Sequence, residues 1–320
     1  MAGEEAWWSG WGRWQARLAL LLGLPVLLTG AYGTNYVFLA APTEYRCYVP
    51  ECEPKPGVIR SPEEWSPEWS QWALPNDTQC RRRAPNSHTC LPTSFDNNTI
   101  ACDQFVYQQG SSIVGEFGLA CEEWKRTLVG TVHNVGMLIS LPLIGWLSDR
   151  YGRRAALVVS GCGAGIVGVC KSFTSSYGAY LLAELLETVA GASVYPAAFV
   201  LMIEWLGVEQ RILASLVLGL PLSLGAASLS LLDYLTDSWR LWARIAYPPS
   251  FLLLLYPWLL PESARWLLTR GRLAEAIELV KQAASWNKLP VPEESLEQLL
   301  HPQKNDKIEA EETVFTALCK

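Results

Sequence analysis

A short charged segment of the sequence contains the residue types of an ion-pair network. One carboxylate and three arginines stand at fixed spacing with two glycines, and the six positions are Gly145, Asp149, Arg150, Gly152, Arg153 and Arg154. A carboxylate is stabilised at a helix N-terminus, and arginines pair with carboxylates or with helix C-termini. A segment that only anchors the topology would need only the positive charges. The glycines and the aspartate therefore favour a structured network, which later charged residues can join: Glu204, Arg211, Glu262 and Arg265.

Two carboxylates interrupt an otherwise apolar stretch further along the chain. Glu184 and Glu187 are three residues apart, so they share a face of a helix. An ionisable residue within an apolar span is costly and indicates a functional site by default. The alternative is that both carboxylates lie at the outer surface of a membrane. In an earlier apolar stretch, Asn35 and Tyr36 offer a hydrogen bond and an aromatic ring to a ligand.

An aromatic pair follows the two carboxylates. Tyr195 and Phe199 are four residues apart and point the same way on a helix. Aromatic faces attract positive charge through the ring quadrupole, so rings and carboxylates within apolar stretches are residue types that can hold a cation. The alternative is that the pair serves ordinary packing or lipid contact. His133 is predicted to pack between helices rather than to relay protons.

The sequence lacks the motifs of common enzyme classes. It contains no His-Glu-x-x-His zinc motif, no Gly-x-Ser-x-Gly elbow and no phosphate-binding Gly-x4-Gly-Lys loop. The three histidines, His88, His133 and His301, are scattered along the chain. We therefore predict no catalytic residue, no metal and no cofactor. The net charge of −6, without a clustered basic face, also argues against a nucleic-acid partner.

Long apolar stretches must position these side chains. Of the 320 residues, 50 % are hydrophobic and 18 % are charged, whereas about a quarter are charged in soluble domains. Crossing a bilayer as a helix takes about 20 apolar residues. Six stretches are candidates: 18–41, 127–147, 155–170, 177–203, 212–232 and 241–260. The first is too long for a signal peptide. The sequence thus predicts an all-α polytopic membrane protein with six transmembrane helices in a lipid bilayer.

The lysines and arginines of the short loops orient these helices. They concentrate in the loop 148–154 and after residue 260, and loops with such a bias face the cytoplasm. Both terminal segments, 1–17 and 261–320, are therefore predicted to be cytoplasmic.

The long loop 42–126, which we call the cap, is predicted to lie outside the cell. It contains six of the nine cysteines of the chain, namely Cys47, Cys52, Cys80, Cys90, Cys102 and Cys121. An even number of cysteines in a polar extracellular segment indicates a disulfide framework, although the sequence leaves the pairing open. Sequons at Asn76 and Asn97 predict glycosylation, which also requires a lumenal location.

Several motifs in this order resemble a known family of transporters. The charged segment around Asp149 resembles the cytoplasmic gating signature of the major facilitator superfamily. Three further motifs narrow the resemblance: Gly12-Arg13-Trp14-Gln15 before the first span, Ser111 to Cys121 before the second, and Pro261-Glu262-Ser263-Ala264-Arg265-Trp266 after the sixth. Together with the cap they are similar to the organic cation and carnitine transporters of the solute carrier 22 family. The segment Glu184-Leu185-Leu186-Glu187 resembles the arthropod members.

The resemblance carries expectations about architecture and function. It implies two six-helix halves that bind a small organic ion between them and work by alternating access at a plasma membrane. The charged segment would form the cytoplasmic gate, and Tyr195 and Phe199 would line the cavity. The chain resembles the amino-terminal half alone, a fragment that ends before a seventh span. A carboxy-terminal half is therefore the expected partner. The alternative is a truncated protein that does not transport, and that acts as a surface binding module or pairs with a full-length transporter.

The segment after the sixth apolar stretch has its own periodicity. Apolar residues recur at helical spacing at Leu273, Ala276, Ile277, Val280 and Ala284. This predicts an amphipathic helix, which lies either on the membrane surface or beneath the helical bundle. From residue 290 onward the chain is polar and is predicted to be a mobile linker.

Overall fold

The computed structural model describes residues 10–53, 65–75, 79–108, 112–236 and 238–290. Asn76 and the predicted linker lie outside the described residues. Thirteen α-helices are described: α1 (Arg13–Gly33), α2 (Asn35–Leu39), α3 (Ser70–Ala73), α4 (Ile113–Glu116), α5 (Glu123–Tyr151), α6 (Arg153–Lys171), α7 (Tyr177–Gly191), α8 (Val194–Glu204), α9 (Arg211–Leu235), α10 (Trp239–Ala246), α11 (Tyr256–Leu259), α12 (Ala264–Thr269) and α13 (Leu273–Asn287). The prediction of a mainly helical protein is confirmed.

Five helical segments of the described chain are long and apolar enough to cross a membrane. They are Arg13–Leu39, Glu123–Tyr151, Arg153–Lys171, Tyr177–Glu204 and Arg211–Leu235. The sixth predicted span, 241–260, is helical in three consecutive pieces: the end of α10, a 3-10 helix over Pro248–Leu255, and α11. Prolines at 248, 249 and 257 lack the backbone N–H of an α-helical ladder, and this explains why the segment is divided.

The first and fifth of these segments are in backbone contact. A Cβ atom on Gly30 of α1 would lie 2.1 Å from the carbonyl oxygen of Leu222, and one on Gly225 of α9 would lie 1.9 Å from that of Leu27. Both distances are far below van der Waals contact. Glycine is therefore required on both helices at this crossing, as at other close crossings of membrane helices.

Four short strands in the cap were not predicted. β1 (Tyr45–Cys47) pairs antiparallel with β4 (Phe105–Tyr107), and β2 (Arg81–Pro85) pairs antiparallel with β3 (Phe95–Ala101). The all-α description therefore holds for the bundle and not for the cap. The six cysteines form three disulfides, Cys47–Cys102, Cys52–Cys90 and Cys80–Cys121. The predicted disulfide framework is confirmed, and it encloses a small apolar core that includes Val49, Ala73 and Phe95.

The amphipathic helix α13 packs against the bundle. Val280 and Ala283 are fully buried in the same apolar core as Trp14 and Leu18 of α1. The side chain of Asn287 accepts a hydrogen bond from the backbone N–H of Trp14 at 2.9 Å. Of the two sequence alternatives, a helix packed against the bundle is the one observed, and its cytoplasmic location stays a prediction.

The α1–α9 crossing gives a stability prediction with an internal control. Gly225→Ala should lower the free energy of unfolding by about 2 kcal/mol, because its Cβ overlaps a backbone oxygen and the helices must separate. Gly219→Ala on the same helix should have little effect, since nothing lies within 4 Å of a Cβ there. The melting temperature of the purified protein in detergent measures both. Equal melting temperatures for the two variants would contradict the crossing.

Candidate functional site

A cavity of about 470 Å³ lies between six helices of the bundle. Its wall is formed by residues of α1, α5, α6, α7, α8 and α9, together with short connecting segments. Most of the lining is apolar, but Tyr32, His133, Glu187, Thr188 and Tyr195 present polar or aromatic groups to it. A largely apolar cavity with a few convergent polar groups is the usual form of a small-molecule site.

The predicted aromatic pair borders this cavity. The rings of Tyr195 and Phe199 are stacked on α8, with their centroids 6.1 Å apart. Tyr195 lines the cavity, and Phe199 packs beside it against the main apolar core. Asn35 and Tyr36 do not line the cavity. The ring of Tyr36 covers that of His133 at a centroid distance of 4.4 Å.

Four ionisable side chains meet at the cavity wall, where two of them line the cavity and two lie behind it. We call His133, Lys171, Glu184 and Glu187 the buried charge cluster. The Nζ of Lys171 lies 2.9 Å from the Oε2 of Glu184 and also contacts the Oε2 of Glu187. The Nδ1 of His133 lies 2.8 Å from the Oε1 of Glu184. Both carboxylates are buried in the protein, at 0 % and 3 % exposure. The two carboxylates therefore face the interior of the helical bundle, and their depth relative to the outer membrane surface stays a prediction.

Two further side chains complete the hydrogen bonds of the cluster. The hydroxyl of Tyr247 donates to the Oε1 of Glu187 at 2.5 Å, and the Nδ2 of Asn35 lies 2.6 Å from that hydroxyl. Tyr247 reaches this position because α6 has glycine at position 168, where a Cβ would lie 2.2 Å from its ring. Lys171 and Tyr247 are functional candidates that the sequence analysis missed. Their sequence signal is weak, because Lys171 ends an apolar stretch as a topology anchor would.

A second network lies at the junction of α5 and α6, where the gate was predicted. The guanidinium of Arg153 donates to the Oε1 of Glu204 at 3.0 Å, to the Oδ1 of Asp149 at 2.8 Å and to the carbonyl oxygen of Ser148 at 3.0 Å. Arg153 thus joins the ends of α5 and α8 across the start of α6.

Glu262 caps the start of α6 from outside the helix. Its Oε1 accepts the backbone N–H groups of Arg153 at 3.0 Å and Arg154 at 3.2 Å, which is the favoured place for a negative charge on a helix. Gly152 has a φ of +106° and passes so close to this carboxylate that a Cβ would lie 2.3 Å from its Oε2. Burial raises the pKa of the Glu262 carboxyl, and the backbone N–H donors act against this rise.

The remaining predicted gate residues point away from this network. Arg150 is exposed and lies over the rings of Trp146 and Tyr151. Arg211 and Arg265 are also exposed, and neither guanidinium forms an ion pair with any part of the chain that the structure describes. Gly145 is exposed, with nothing within 4 Å of a Cβ. The structure thus brings together Asp149, Gly152, Arg153, Arg154, Glu204 and Glu262, and leaves the other four on the surface.

Arg153 and Arg150 make a matched pair for testing the junction network. Arg153→Gln should lower the free energy of unfolding by about 1–3 kcal/mol, because it leaves the largely buried Glu204 carboxylate without its partner. Arg150→Gln removes the same charge from the exposed face and should change stability by at most about 0.5 kcal/mol. Thermal unfolding in detergent compares the two. The assignment fails if Arg150→Gln is as destabilising as Arg153→Gln.

Comparisons with known proteins agree with this architecture. Residues 114–303 match the family model of the Major Facilitator Superfamily. Solute carrier family 22 member 3 of Mus musculus is 31 % identical over 86 % of this chain and 54 % of its own length. The organic cation transporter protein of Drosophila melanogaster is 30 % identical over 96 % of this chain and 58 % of its own length. The identities to the mouse and Drosophila relatives, 31 % and 30 %, do not favour either animal group. The assignment to the arthropod members therefore stays a prediction.

A solved structure has the same fold at low sequence identity. A double-tryptophan mutant of XylE superposes with a TM-score of 0.52 at 15 % identity, over 85 % of this chain and 50 % of its own. The chain spans about half the length of the curated relatives that it matches. These relatives are transporters and not enzymes, which confirms the prediction that the chain is not an enzyme. The family match covers more than half of the chain, and the chain is a multi-pass membrane protein that belongs to the major facilitator superfamily.

Proposed function

We propose that the chain is the amino-terminal half of a secondary transporter that carries small organic ions by alternating access. Organic cations and carnitine-like solutes are the proposed substrates. The observation that carries the proposal is the cavity of about 470 Å³, which brings the rings of Tyr32 and Tyr195 and the carboxylate of Glu187 to one surface inside an apolar bundle. Its volume falls within the range of about 300–1,000 Å³ that is usual for small-molecule sites.

The chemistry of the lining favours a positively charged ligand. Aromatic faces attract cations most strongly where water is excluded, and no arginine or lysine is among the described residues that line the cavity. Glu187 is its only acidic lining residue in the described chain. The cation class also agrees with the printed name of the Drosophila relative. Tyr195 and Glu187 are the proposed contacts, with Phe199, Glu184, Asn35 and Tyr36 supporting them from behind.

A second helical bundle would complete the cavity and form the other side of the gate. In the most apolar stretch of α5 only 28 % of the residues are buried within the protein, and in that of α9 only 22 %. The share is 50 % in each of the other three candidate spans. Gly145 and Arg150 belong to the exposed surface of α5, where another bundle could pack closely. The proposed partner is a carboxy-terminal six-helix half. The matched region covers 54 % and 58 % of the two relatives, so the remainder of each is long enough to contain such a half.

The proposed topology has six spans, cytoplasmic termini and an extracellular cap in a plasma membrane. In this arrangement, the divided helical segment from α10 to α11 is the sixth span. The three disulfides of the cap support an oxidising location, because disulfides persist outside the cytosol. Asn97 is exposed on β3, where the surface leaves space for an N-linked glycan.

Glycan mapping tests the location of the cap. In cells, Asn97→Gln should remove one glycan and increase mobility on a denaturing gel, because the residue is exposed in a sequon. Asn98→Gln is the matched control, since it is adjacent and exposed but keeps the Asn-x-Thr acceptor pattern at position 97. A protein without glycans at Asn97 that is accessible to a cytosolic protease in the cap would contradict the topology.

Ligand binding tests the substrate class. Radiolabelled tetraethylammonium should bind the chain in lipid nanodiscs, and Tyr195→Ala should weaken its affinity about 5–30-fold, as expected for a loss of about 1–2 kcal/mol of desolvated cation–π contact. Tyr234→Ala is the control, because Tyr234 is 87 % exposed. Uptake by cells that produce the chain together with a carboxy-terminal half then tests transport. Binding of para-aminohippurate in place of tetraethylammonium would contradict the cation assignment.

A further inference from the structure

The buried charge cluster carries an unequal number of opposite charges. It holds two carboxylates, Glu184 and Glu187, and one ammonium, Lys171, with His133 as the fourth ionisable group. The exposed fractions of the four residues are 0 %, 3 %, 0 % and 4 % respectively. With His133 neutral the cluster has one uncompensated negative charge, and with His133 protonated it is neutral.

The groups around the cluster add no charge that removes this imbalance. Tyrosines face it from the surrounding elements: Tyr32 from α1, Tyr36 from α2, Tyr180 from α7, and Tyr247 from the end of α10. Each is neutral near neutral pH. The neighbouring arginines are engaged elsewhere in the described structure. Arg240 pairs with Glu116, while Arg244 contacts the hydroxyl of Ser172 and lies over the ring of Phe173.

His133 connects the cluster with the cavity. Its Nδ1 is 2.8 Å from Glu184 and 3.1 Å from the hydroxyl of Thr188, and the residue lines the cavity. The oxygens of Glu187 already contact Lys171, Tyr247 and Asn35. An added proton therefore has its place on His133, where the imidazolium would pair with Glu184.

A proton and a bound cation would balance the same charge. Burying a net charge in an apolar interior is more costly than burying a neutral group of ions. In the empty cavity, a proton on His133 neutralises the cluster. An organic cation beside Glu187 supplies the same positive charge, and the two positive charges would then repel each other across a few ångströms of low dielectric.

We infer that the buried charge cluster binds one proton through His133 and releases it when an organic cation enters the cavity. The imidazolium gives up its proton to water, and the ligand cation takes over its role of balancing Glu184 and Glu187. This inference rests on the proposed function, and it makes the carrier an exchanger of cations for protons. By linkage, the cation weakens proton binding as much as the proton weakens cation binding.

Titration of the histidine ring tests the first step without any ligand. In the full chain with ¹⁵N-labelled histidine in nanodiscs of neutral phosphatidylcholine, the ring signal lost in His133→Gln should change protonation state within the pH range in which the chain stays folded. His88→Gln is the matched control, because His88 is exposed in the cap and removes a different signal. A His133 ring that keeps one protonation state over this range overturns the inference.

Tetraethylammonium tests the exchange. In weak buffer with a pH-sensitive dye, its binding to the chain should release about one proton, and its affinity should fall about tenfold for each pH unit below the His133 midpoint. His133→Gln should reduce this pH dependence to less than about twofold, while His88→Gln should retain it. Glu184→Gln is a second variant that keeps the hydrogen bond but removes the excess charge, so it should also bind without proton release.

The outcomes separate the two proposals. Tetraethylammonium that binds the unaltered chain without proton release and with the same affinity at all pH values overturns the exchange but leaves the proposed function intact. Absence of tetraethylammonium binding at every pH contradicts the proposed function, and with it the exchange. A pH dependence that persists in both His133→Gln and Glu184→Gln also overturns the inference, because it assigns the proton to another group.

Discussion

Charges that are buried in an apolar bundle must lie next to opposite charges, and this constraint determines how α5, α6 and α7 are arranged. An isolated ion loses several kcal/mol or more of hydration when it leaves water, and only an opposite charge with good hydrogen bonds compensates for the loss. Lys171 at the end of α6 therefore contacts both carboxylates of α7, and His133 of α5 contacts one of them. Three helices are held in register by these contacts, and their common surface becomes the wall of the cavity.

Small residues allow the helices to approach closely enough for this arrangement. Gly30 and Gly225 bring α1 and α9 into backbone contact on one side of the cavity. In α6, Gly168 leaves space for the ring of Tyr247, whose hydroxyl then reaches Glu187. The glycines and the charges thus act together. The glycines permit short distances between helices, and the ion pairs stabilise one arrangement of the helices at those distances. At the junction of α5 and α6 the same relation holds between Gly152 and Glu262.

The sequence predicts local properties of this protein better than properties that depend on rotation about a helix. Apolar length is local, so five of the candidate spans are visible in the sequence, and the charged network around Arg153 was expected from its spacing. Arg211 and Arg265 also stand at helix ends, but the direction in which each points depends on tertiary packing, and both are exposed. Lys171 was missed for the same reason, since a lysine after an apolar stretch has the same pattern whether it faces solvent or Glu184. The strands of the cap were missed because segments such as Arg81–Pro85 have no alternation of apolar and polar residues.

The disulfide between Cys80 and Cys121 connects strand β2 of the cap to the start of α5. Cys121 stands two residues before Glu123, the first residue of α5. The other end of the cap is held by the pairing of Tyr45 with Tyr107, close to the end of α2. The covalent bond and the two-residue separation restrict how far the cap can move independently of α5. A fluorophore attached to the cap would therefore report changes in the orientation of α5.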